Sequence, residues 1–334
     1  MNQGWTYRDR VRTDGETVLD YYRRRYRHSS EAEWRSRIEQ GLILLAGEPV
    51  EAQQVLAKGQ HLTYRRLPWE EPVVPLDFEV LYEDADVWAI SKPVGLPVLP
   101  GGGCLEHTVL WLMRSRYPND QPAPLHRLGR GTSGVMLVAR SARAKSELSR
   151  QFRVRSQRSS SGIATGSMRK IYRALVGPAT VSDLPDRFVC EQAIGKIPYP
   201  RLGYIYGHVK EGLHACSQGQ VLERRADSTL VEVQILTGRP HQIRIHLAAV
   251  GYPLLGDPLY GVGGVPRAEG TAIPSDCGYR LHAHRVQFDH PRSGEVVSVV
   301  ASLPEDLRVC RGRDRAETVD KAGDLPYATS TVVD

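Results

Sequence analysis

The sequence has no long apolar run. No stretch of about eighteen apolar residues, the length that would suggest a transmembrane helix, occurs anywhere in the 334-residue chain. The first twelve residues, MNQGWTYRDRVR, also lack the apolar stretch of a secretory signal. We therefore expect a cytoplasmic protein with no membrane partner. The length favours two domains, one of them large enough for a sizeable core.

Cysteine is scarce and irregularly placed. The chain has five cysteines, an odd number, and they are widely separated: Cys104, Cys190, Cys216, Cys277 and Cys310. No CxxC pair and no cluster of cysteine with histidine occurs, so the pattern of a zinc site is missing. Because a cytoplasmic compartment also disfavours disulfides, we expect ordinary free thiols and no metal site built on cysteine.

Lysine is scarce as well, although the net charge is +6: the basic residues are 37 arginines and seven lysines. The planar fork of arginine suits phosphates and stacks on bases better than the point charge of lysine. Between Leu125 and Arg173 the sequence contains twelve basic residues and a single acid, Glu147. This distribution favours a surface for a polyanion, with a merely solvated basic face as the alternative.

Three familiar signatures are absent from the two stretches that look most functional. HRLGRGTSG, residues 126–134, has no GK[ST] after its glycines and lacks the GxGxxG order, which argues against phosphate loops and dinucleotide folds. We expect no nucleotide cofactor. LTGRPHQIRIH, residues 236–246, contains His241 and His246 five positions apart, with no Glu after the first, so the HExxH zinc pattern fails.

The local patterns that are present predict two differently built regions. Near the N-terminus, Ser30 and Glu33 have the spacing of a capping box and predict a helix over residues 30–40, with Gly41 as its terminator. LILLAGEPV and HLTYRRL after it predict short strands. The proline-spaced segment LPWEEPVVPL, residues 67–76, is typical of a linker.

From residue 77 the pattern changes to strands interrupted by short helices. VMLVA at 135–139 predicts a buried strand, and Ser141 after it predicts the cap of a basic helix. IYRALV and LVEVQIL alternate as strands do, and RPHQIRIHLAAVGYP predicts a helix between Pro240 and Gly251. The polar residues 311–334 predict a disordered tail.

The ordered motifs together resemble the RluA family of RNA pseudouridine synthases. They are HRLGRGTSG, KIYRALVG, LTGRPHQIRIH, GYPLLGDPLYG and LHAHRVQFDHPRSGE, preceded by SKPVGLPVLPGGG. The resemblance covers residues 77–306, and the HRLGRGTSG form is similar to a cyanobacterial and plant branch of the family. Residues 1–66 resemble an S4-type RNA-binding module, mainly through IEQGLILLAGEPV.

This resemblance implies a fold and a domain layout. The expected fold class is α+β: a pseudouridine synthase core with a mixed, largely antiparallel sheet and a central cleft, preceded by a small α/β S4-like module. The implied layout is an S4-like RNA-binding domain at 1–66, a linker at 67–76, a catalytic domain at 77–310 and a disordered tail at 311–334.

The resemblance also implies the chemistry. Pseudouridine synthases break the bond between uridine N1 and ribose C1′, turn the base and rejoin it through C5, without a metal or cofactor. The base must leave its stack to enter the pocket, which costs a few kcal/mol. The implied partner is structured RNA, either rRNA or tRNA.

One site residue of the family is missing from this sequence. The family has an essential aspartate, which either attacks C1′ or takes a sugar proton, and its position here is Gly129. By motif match, Tyr172 stacks on the target base and Arg239 pairs with the aspartate. Asp257 is a family-like acid whose place relative to the pocket is open. The implied RNA-binding residues are His126, Arg127, Arg130, Thr132, Ser133, His241 and Arg244.

The missing carboxylate leaves two hypotheses open, because loss of a nucleophile commonly costs on the order of 10⁴ to 10⁶ in rate. The protein is either a pseudouridine synthase that works without it or a catalytically silent RNA-binding relative. Thr132 and Ser133 have hydroxyls, but the sequence shows no base that would activate them. We expect Gly129, Tyr172 and Arg239 to line one cleft. We also expect Gly129→Asp to raise activity by giving Arg239 its partner.

Overall fold

A computed structural model describes residues 1–158, 168–177, 184–200, 202–268, 270–310 and 331–332. The chain divides into two compact units, Met1–Pro72 with Pro200–Gly203 and Val73–Tyr199 with Tyr204–Asp334. The predicted tail, 311–334, lies outside the described residues except for 331–332. Within the described ranges, no helix has the length and apolar character needed to span a bilayer.

The first unit is a four-stranded sheet with two helices. Its strands follow the order β1-β4-β2-β3, and its elements are β1 (Trp5–Arg10), α1 (Val18–Arg25), α2 (Glu31–Glu39), β2 (Ile43–Leu45), β3 (Glu48–Pro49) and β4 (His61–Arg66). The predicted capping box is confirmed: Ser30 Oγ accepts the Glu33 N–H at 3.3 Å, and the Glu33 carboxylate accepts the Ser30 N–H at 2.7 Å. Tyr22 and Trp34 are fully buried in the core of this unit.

The second unit contains the remaining elements, which comprise short strands and three helices in the described residues. Up to its middle these are β5 (Glu79–Glu83), β6 (Val87–Lys92), α3 (Val109–Arg116), β7 (Ala123–Pro124), β8 (Ser133–Ala139), α4 (Ala142–Arg158) and β9 (Arg169–Val176). Next come β10 (Arg187–Cys190), β11 (Ile194–Tyr199), β12 (Gly203–His208), β13 (Ser217–Arg224), β14 (Thr229–Ile235) and α5 (Gln242–Ala249). The last are β15 (Tyr260–Gly261), β16 (Val265–Pro266), β17 (Leu281–Asp289), β18 (Val296–Val300), a 3-10 turn (Glu305–Leu307) and β19 (Thr331–Val332).

An eleven-stranded sheet organises this unit. Its main path runs β19-β10-β13-β14-β9-β17-β8-β6-β5, with β18 paired to β17 and β7 paired to β8. Most neighbours are antiparallel, whereas β17 with β8 and β10 with β19 are parallel. The predicted α+β class with a mixed, largely antiparallel sheet is therefore confirmed.

Strand β17 brings distant motifs together because it lies between β9 and β8. Its Ala283 is opposite Tyr172 of β9 on one side and Gly134 of β8 on the other. Gly134 has φ +103°, and a Cβ there would lie 2.2 Å from the Ala283 carbonyl oxygen. Only glycine allows the strands to approach this closely. The end of HRLGRGTSG and the strand of Tyr172 thus flank the same residue.

The two predicted helices of this unit are also confirmed. Ser141 Oγ accepts the Ala144 N–H at 3.1 Å and caps α4, which buries Ala144 and Leu148. Helix α5 begins after His241, which has a left-handed φ of 55° and makes no side-chain cap. Ile243 of α5 packs into the same core cluster as Tyr172.

Candidate active site

Gly129 lies in a tight turn, in which the Thr132 N–H donates to the Gly129 carbonyl at 2.9 Å. Its φ is outside the positive range, so the backbone itself does not require glycine. A Cβ at this position would lie 2.7 Å from Tyr279 Oη and 3.4 Å from Thr132 Oγ1, with no other atom outside the adjacent residues within 4 Å. At Gly131 a Cβ would lie 2.8 Å from two ring carbons of Tyr279. A tyrosine ring fills the space beside both glycines.

Tyr279 is a residue that the sequence analysis did not find. It precedes β17 in an irregular segment and is 2% exposed. Its Oη lies 3.2 Å from Thr132 Oγ1, and the Arg244 guanidinium lies 4.1 Å from its ring centroid. Burial raises the pKa of Tyr279, while the nearby charge of Arg244 acts to lower it. The only sequence signal was the pair of small residues, Gly129 and Gly131, that the ring requires.

Arg244 is buried and paired with Asp257. Its Nε donates to Asp257 Oδ2 and its Nη2 to Oδ1, both at 2.7 Å, and Nη1 donates to the Pro274 carbonyl at 3.1 Å. Asp257 Oδ1 also accepts the backbone N–H groups of Leu259 and Tyr260. Such a bidentate, fully hydrogen-bonded pair satisfies a buried charge. The guanidinium therefore keeps a carboxylate partner although residue 129 has none.

Arg239 has different contacts from Arg244 and is less buried. Its Nε donates to the His214 carbonyl at 2.9 Å, and its backbone N–H donates to Gln242 Oε1 at 3.0 Å. The side chain is half-buried and lies beyond 4 Å from the Cβ position of residue 129. Of the two arginines in this stretch, Arg244 rather than Arg239 reaches the tyrosine beside Gly129.

Tyr172 is buried in β9 with 7% exposure. Burial raises the pKa of its hydroxyl, which keeps the phenol protonated at neutral pH. Tyr172 is opposite Ala283 of β17, and Ala283 is opposite Gly134 of β8. The strand pairing thus places Tyr172 one strand away from the end of the HRLGRGTSG loop.

His126 and Arg130 hold the loop in place. His126 Nε2 accepts the Leu137 N–H at 3.0 Å, and burial, followed by the charge of Lys170, lowers the pKa of this histidine to about 3. Arg130 Nε donates to the Gly95 carbonyl at 2.9 Å, and the Gly95 N–H donates back to the Arg130 carbonyl at 2.8 Å. Arg127, between them, is exposed.

A buried lysine, Lys92, also contacts the HRLGRGTSG loop. Lys92 Nζ donates to the carbonyls of Pro93, Leu96 and Arg130 at 2.8, 2.9 and 3.4 Å. Burial lowers the pKa of Lys92 to about 7. The SKPVGLPVLPGGG segment thus fixes the HRLGRGTSG loop through main-chain carbonyls, although the two are far apart in sequence.

Ser133 has a partner that the sequence did not reveal. Its Oγ lies 2.8 Å from His282 Nδ1, across the parallel pairing of β8 and β17. Burial, together with the neighbouring His284, lowers the pKa of His282 to about 4, so the imidazole is neutral at pH 7. Ser133 is only 8% exposed, which indicates a contact that joins the strands.

His241 also has a structural contact. Its Nδ1 lies 2.8 Å from the Tyr260 hydroxyl, and Tyr260 donates to the Tyr206 carbonyl at 2.8 Å. Burial, then the charge of Arg244, lowers the pKa of His241 to about 4. In the part of the chain that the structure describes, no group of three or more metal-ligating side chains occurs.

The basic run of residues 125–173 is partly neutralised by acids from elsewhere in the sequence. Arg140 pairs with Glu83 at 2.9 Å and with Asp120 at 3.1 Å, and Arg173 pairs with Glu232 at 3.0 Å. The net positive charge of this run in the folded chain is therefore smaller than the count along the sequence.

Comparison with known proteins gives a consistent result. The model of the RNA pseudouridylate synthase family matches residues 86–249. An uncharacterized RNA pseudouridine synthase of Synechocystis sp. is 52% identical, over 87% of this chain and 95% of that protein. RNA pseudouridine synthase 5 of Arabidopsis thaliana is 39% identical, over 92% and 95%. Ribosomal large subunit pseudouridine synthase D of Neisseria meningitidis serogroup B is 32% identical, over 81% and 71%.

Among solved structures, Human RNA Pseudouridylate Synthase Domain Containing 1 has a TM-score of 0.52 and 22% identity, and the match covers 72% of this chain and 89% of that chain. This likeness concerns the fold alone. The Synechocystis and Arabidopsis relatives, in contrast, are similar over 95% of their own length. The chain belongs to the RNA pseudouridine synthase family.

Proposed function

We propose that the protein is a cytoplasmic RNA pseudouridine synthase that isomerises uridine to pseudouridine in structured RNA, either rRNA or tRNA. Family membership and the names of its relatives support this reaction, and the name of the Neisseria meningitidis relative favours ribosomal RNA. The reaction is an intramolecular isomerisation, which requires no oxidant, reductant or nucleotide.

The observation that carries the proposal is the convergence of three distant stretches. Ala283 of β17 is opposite both Tyr172 and Gly134, and Tyr279, two residues before β17, contacts the turn at Gly129. We assign Tyr172 to stacking on the target base, since an aromatic ring supports an unstacked base. Arg127 and Arg239 we assign to RNA phosphates, because neither is buried.

The second candidate function is a catalytically silent RNA-binding relative. Gly129 and the buried ring of Tyr279 favour it, because together they leave no carboxylate and little space at the family's aspartate position. Both candidates predict RNA binding. Only the synthase predicts release of the C5 hydrogen from uridine.

The test is isomerisation by the purified full-length protein. Total RNA from a strain that lacks the gene would be incubated with the protein and its pseudouridines mapped, and tritium release from uridine labelled at C5 would give the rate. We expect new pseudouridine at defined positions. Because we also assign the Tyr172 hydroxyl to assisting removal of the C5 proton, Tyr172→Phe should lose about 10²-fold or more in rate. Tight RNA binding without tritium release on any RNA would establish the silent relative instead.

The N-terminal residues 1–66 we propose to be an S4-like RNA-binding domain, followed by a linker at 67–76 and the catalytic domain at 77–310. A cavity of about 590 Å³ in the first unit is lined by residues that include Arg37, Arg66 and Trp69. The Arg66 guanidinium lies 3.5 Å from the Trp69 ring centroid, and that of Arg37 lies 4.5 Å from the ring of Trp34. Arginines stacked on aromatic rings are suited to unpaired nucleotides.

This assignment predicts an effect on binding alone. The full-length Arg66→Ala variant should bind RNA more weakly and with a smaller salt dependence, while its turnover at saturating RNA stays unchanged. Equal affinity of the variant and the wild type at several salt concentrations would exclude an RNA-binding role for this cavity.

A further inference from the structure

A phenol lies where the side chain of residue 129 would begin. Any Cβ at Gly129 would meet Tyr279 Oη at 2.7 Å, and any Cβ at Gly131 would meet the ring of the same tyrosine at 2.8 Å. Contacts below 3.0 Å are not tolerated by real Cβ atoms. The two glycines and the tyrosine therefore form one packed unit, in which the Tyr279 oxygen lies where a side chain at residue 129 would start.

The surroundings of this oxygen are polar. Tyr279 Oη is within hydrogen-bond distance of Thr132 Oγ1, at 3.2 Å. The Arg244 guanidinium faces the ring at 4.1 Å from its centroid and is held there by Asp257. A cation over an aromatic ring stabilises negative charge that develops on its hydroxyl oxygen. Arg244 is therefore placed to stabilise the charge on this oxygen when its bond to C1′ breaks.

We propose that the hydroxyl oxygen of Tyr279 takes the place of the family's carboxylate and reacts with C1′ of the target uridine. This inference rests on the proposed synthase function and names the residue that performs its first step. Tyrosine is an established nucleophile in enzymes, including some glycosidases that attack the corresponding sugar carbon.

The step balances without another reactant. Tyr279 Oη forms a bond to C1′ while the N1–C1′ bond breaks, and the phenol proton ends on N1 of the released uracil. The uracil then turns, C5 forms a bond to C1′, and the electron pair of the C1′–Oη bond returns to the phenolate oxygen. The C5 proton finally restores the phenol. The product carries hydrogen on N1 and carbon at C1′, which is pseudouridine.

Access to the Tyr279 hydroxyl depends on the segment that carries it. The ring is buried, whereas the neighbouring Gly278 and Arg280 are both exposed. Reaction with uridine therefore requires this segment to move when RNA binds.

The experiment compares full-length variants for tritium release, RNA affinity and thermal melting. Tyr279→Phe removes only the hydroxyl. Tyr260→Phe is the matched control, because it removes a hydroxyl from the other ring beside Arg244, whose centroid is 4.9 Å from the guanidinium. The double variant Gly129→Asp/Tyr279→Phe returns a carboxylate to residue 129 and removes the oxygen that Cβ would meet.

We expect Tyr279→Phe to lose at least about 10³-fold in kcat with RNA affinity and melting close to wild type, and Tyr260→Phe to keep its turnover. The double variant should be more active than Tyr279→Phe, whereas Gly129→Asp alone should show no gain in activity. A wild type that is active together with a fully active Tyr279→Phe would overturn the role of Tyr279 and leave the synthase function standing. A wild type that is silent on every RNA would overturn both.

Discussion

The loop 126–134 and the stretch 236–246 both belong to the candidate site, and they depart from the expected site in opposite ways. The loop has lost a charge at Gly129, and a ring from another part of the chain occupies the space. The stretch has kept its charges, but the buried one is Arg244, with Asp257 as its partner, while Arg239 lies half-buried. In the loop, the absence of a side chain at Gly129 leaves room for the Tyr279 ring. In the stretch, the presence of Arg239 does not bring its side chain within 4 Å of the Cβ position of residue 129.

The comparison teaches that the buried charge near Gly129 has its own partner. Arg244 is only 2% exposed, so it needs a compensating anion. Asp257 supplies that anion from GYPLLGDPLYG, thirteen residues further along the chain. The buried Arg244 therefore needs no carboxylate at residue 129.

The largest expected effect concerns the charge in the second stretch. Asp257→Asn should lower the free energy of unfolding by about 3 to 5 kcal/mol, because it leaves the Arg244 guanidinium buried and uncompensated. Urea unfolding measures the change. The double variant Arg244→Met/Asp257→Asn should recover part of the loss, since it removes both charges. A loss below about 1 kcal/mol in the single variant would contradict a buried pair.

The next largest effect concerns Gly131, one of the two loop glycines beside the Tyr279 ring. Gly131→Ala should lower stability by about 1 to 3 kcal/mol, because its Cβ would overlap the Tyr279 ring. In a Tyr279→Ala background the same substitution should cost much less, and a double-mutant cycle measures the difference. Additive losses in the two backgrounds would show that the ring is not what requires glycine.

A third prediction uses a histidine from each region. Burial lowers the pKa of His126 to about 3 and of His241 to about 4. Below pH 6.5 the unfolded chain binds protons that the folded chain does not, so stability is full above pH 6.5 and falls as pH decreases toward the folded-state values. Each histidine should cost about 2 kcal/mol at pH 5.

Thermal melting between pH 8 and pH 5 measures this loss. His126→Gln keeps an acceptor for the Leu137 N–H and should show a shallower decline than wild type. His241→Gln is the corresponding variant in the second region. A decline of equal slope in all three proteins would assign the acid sensitivity to other groups.

The smallest effect concerns the surface arginines. Arg127→Ala and Arg239→Ala should each weaken RNA binding by about threefold to tenfold and reduce the salt slope by about one, because each removes one phosphate contact. Turnover at saturating RNA should change little in either variant. A large loss of kcat confined to Arg239→Ala would instead return Arg239 to the reacting centre.

Local features were predictable from the sequence because neighbouring residues create them. The capping box of Ser30 and Glu33, the buried strand β8 and the Ser141 cap of α4 each depend on residues within one or two turns or on simple periodicity. The charge of residues 125–173 was less predictable, because Glu83, Asp120 and Glu232 approach it only after folding.

The sequence by itself determined helices α2, α4 and α5, several of the strands, the ordered motifs and the identity of residue 129 as glycine. Only the tertiary structure decided that β17 lies between β9 and β8, that Tyr279 fills the space beside Gly129, and that Arg244 is the arginine turned inward. The physical reason is distance along the chain. Tyr279 and Gly129 are 150 positions apart in the sequence, and no local preference of either residue encodes their contact.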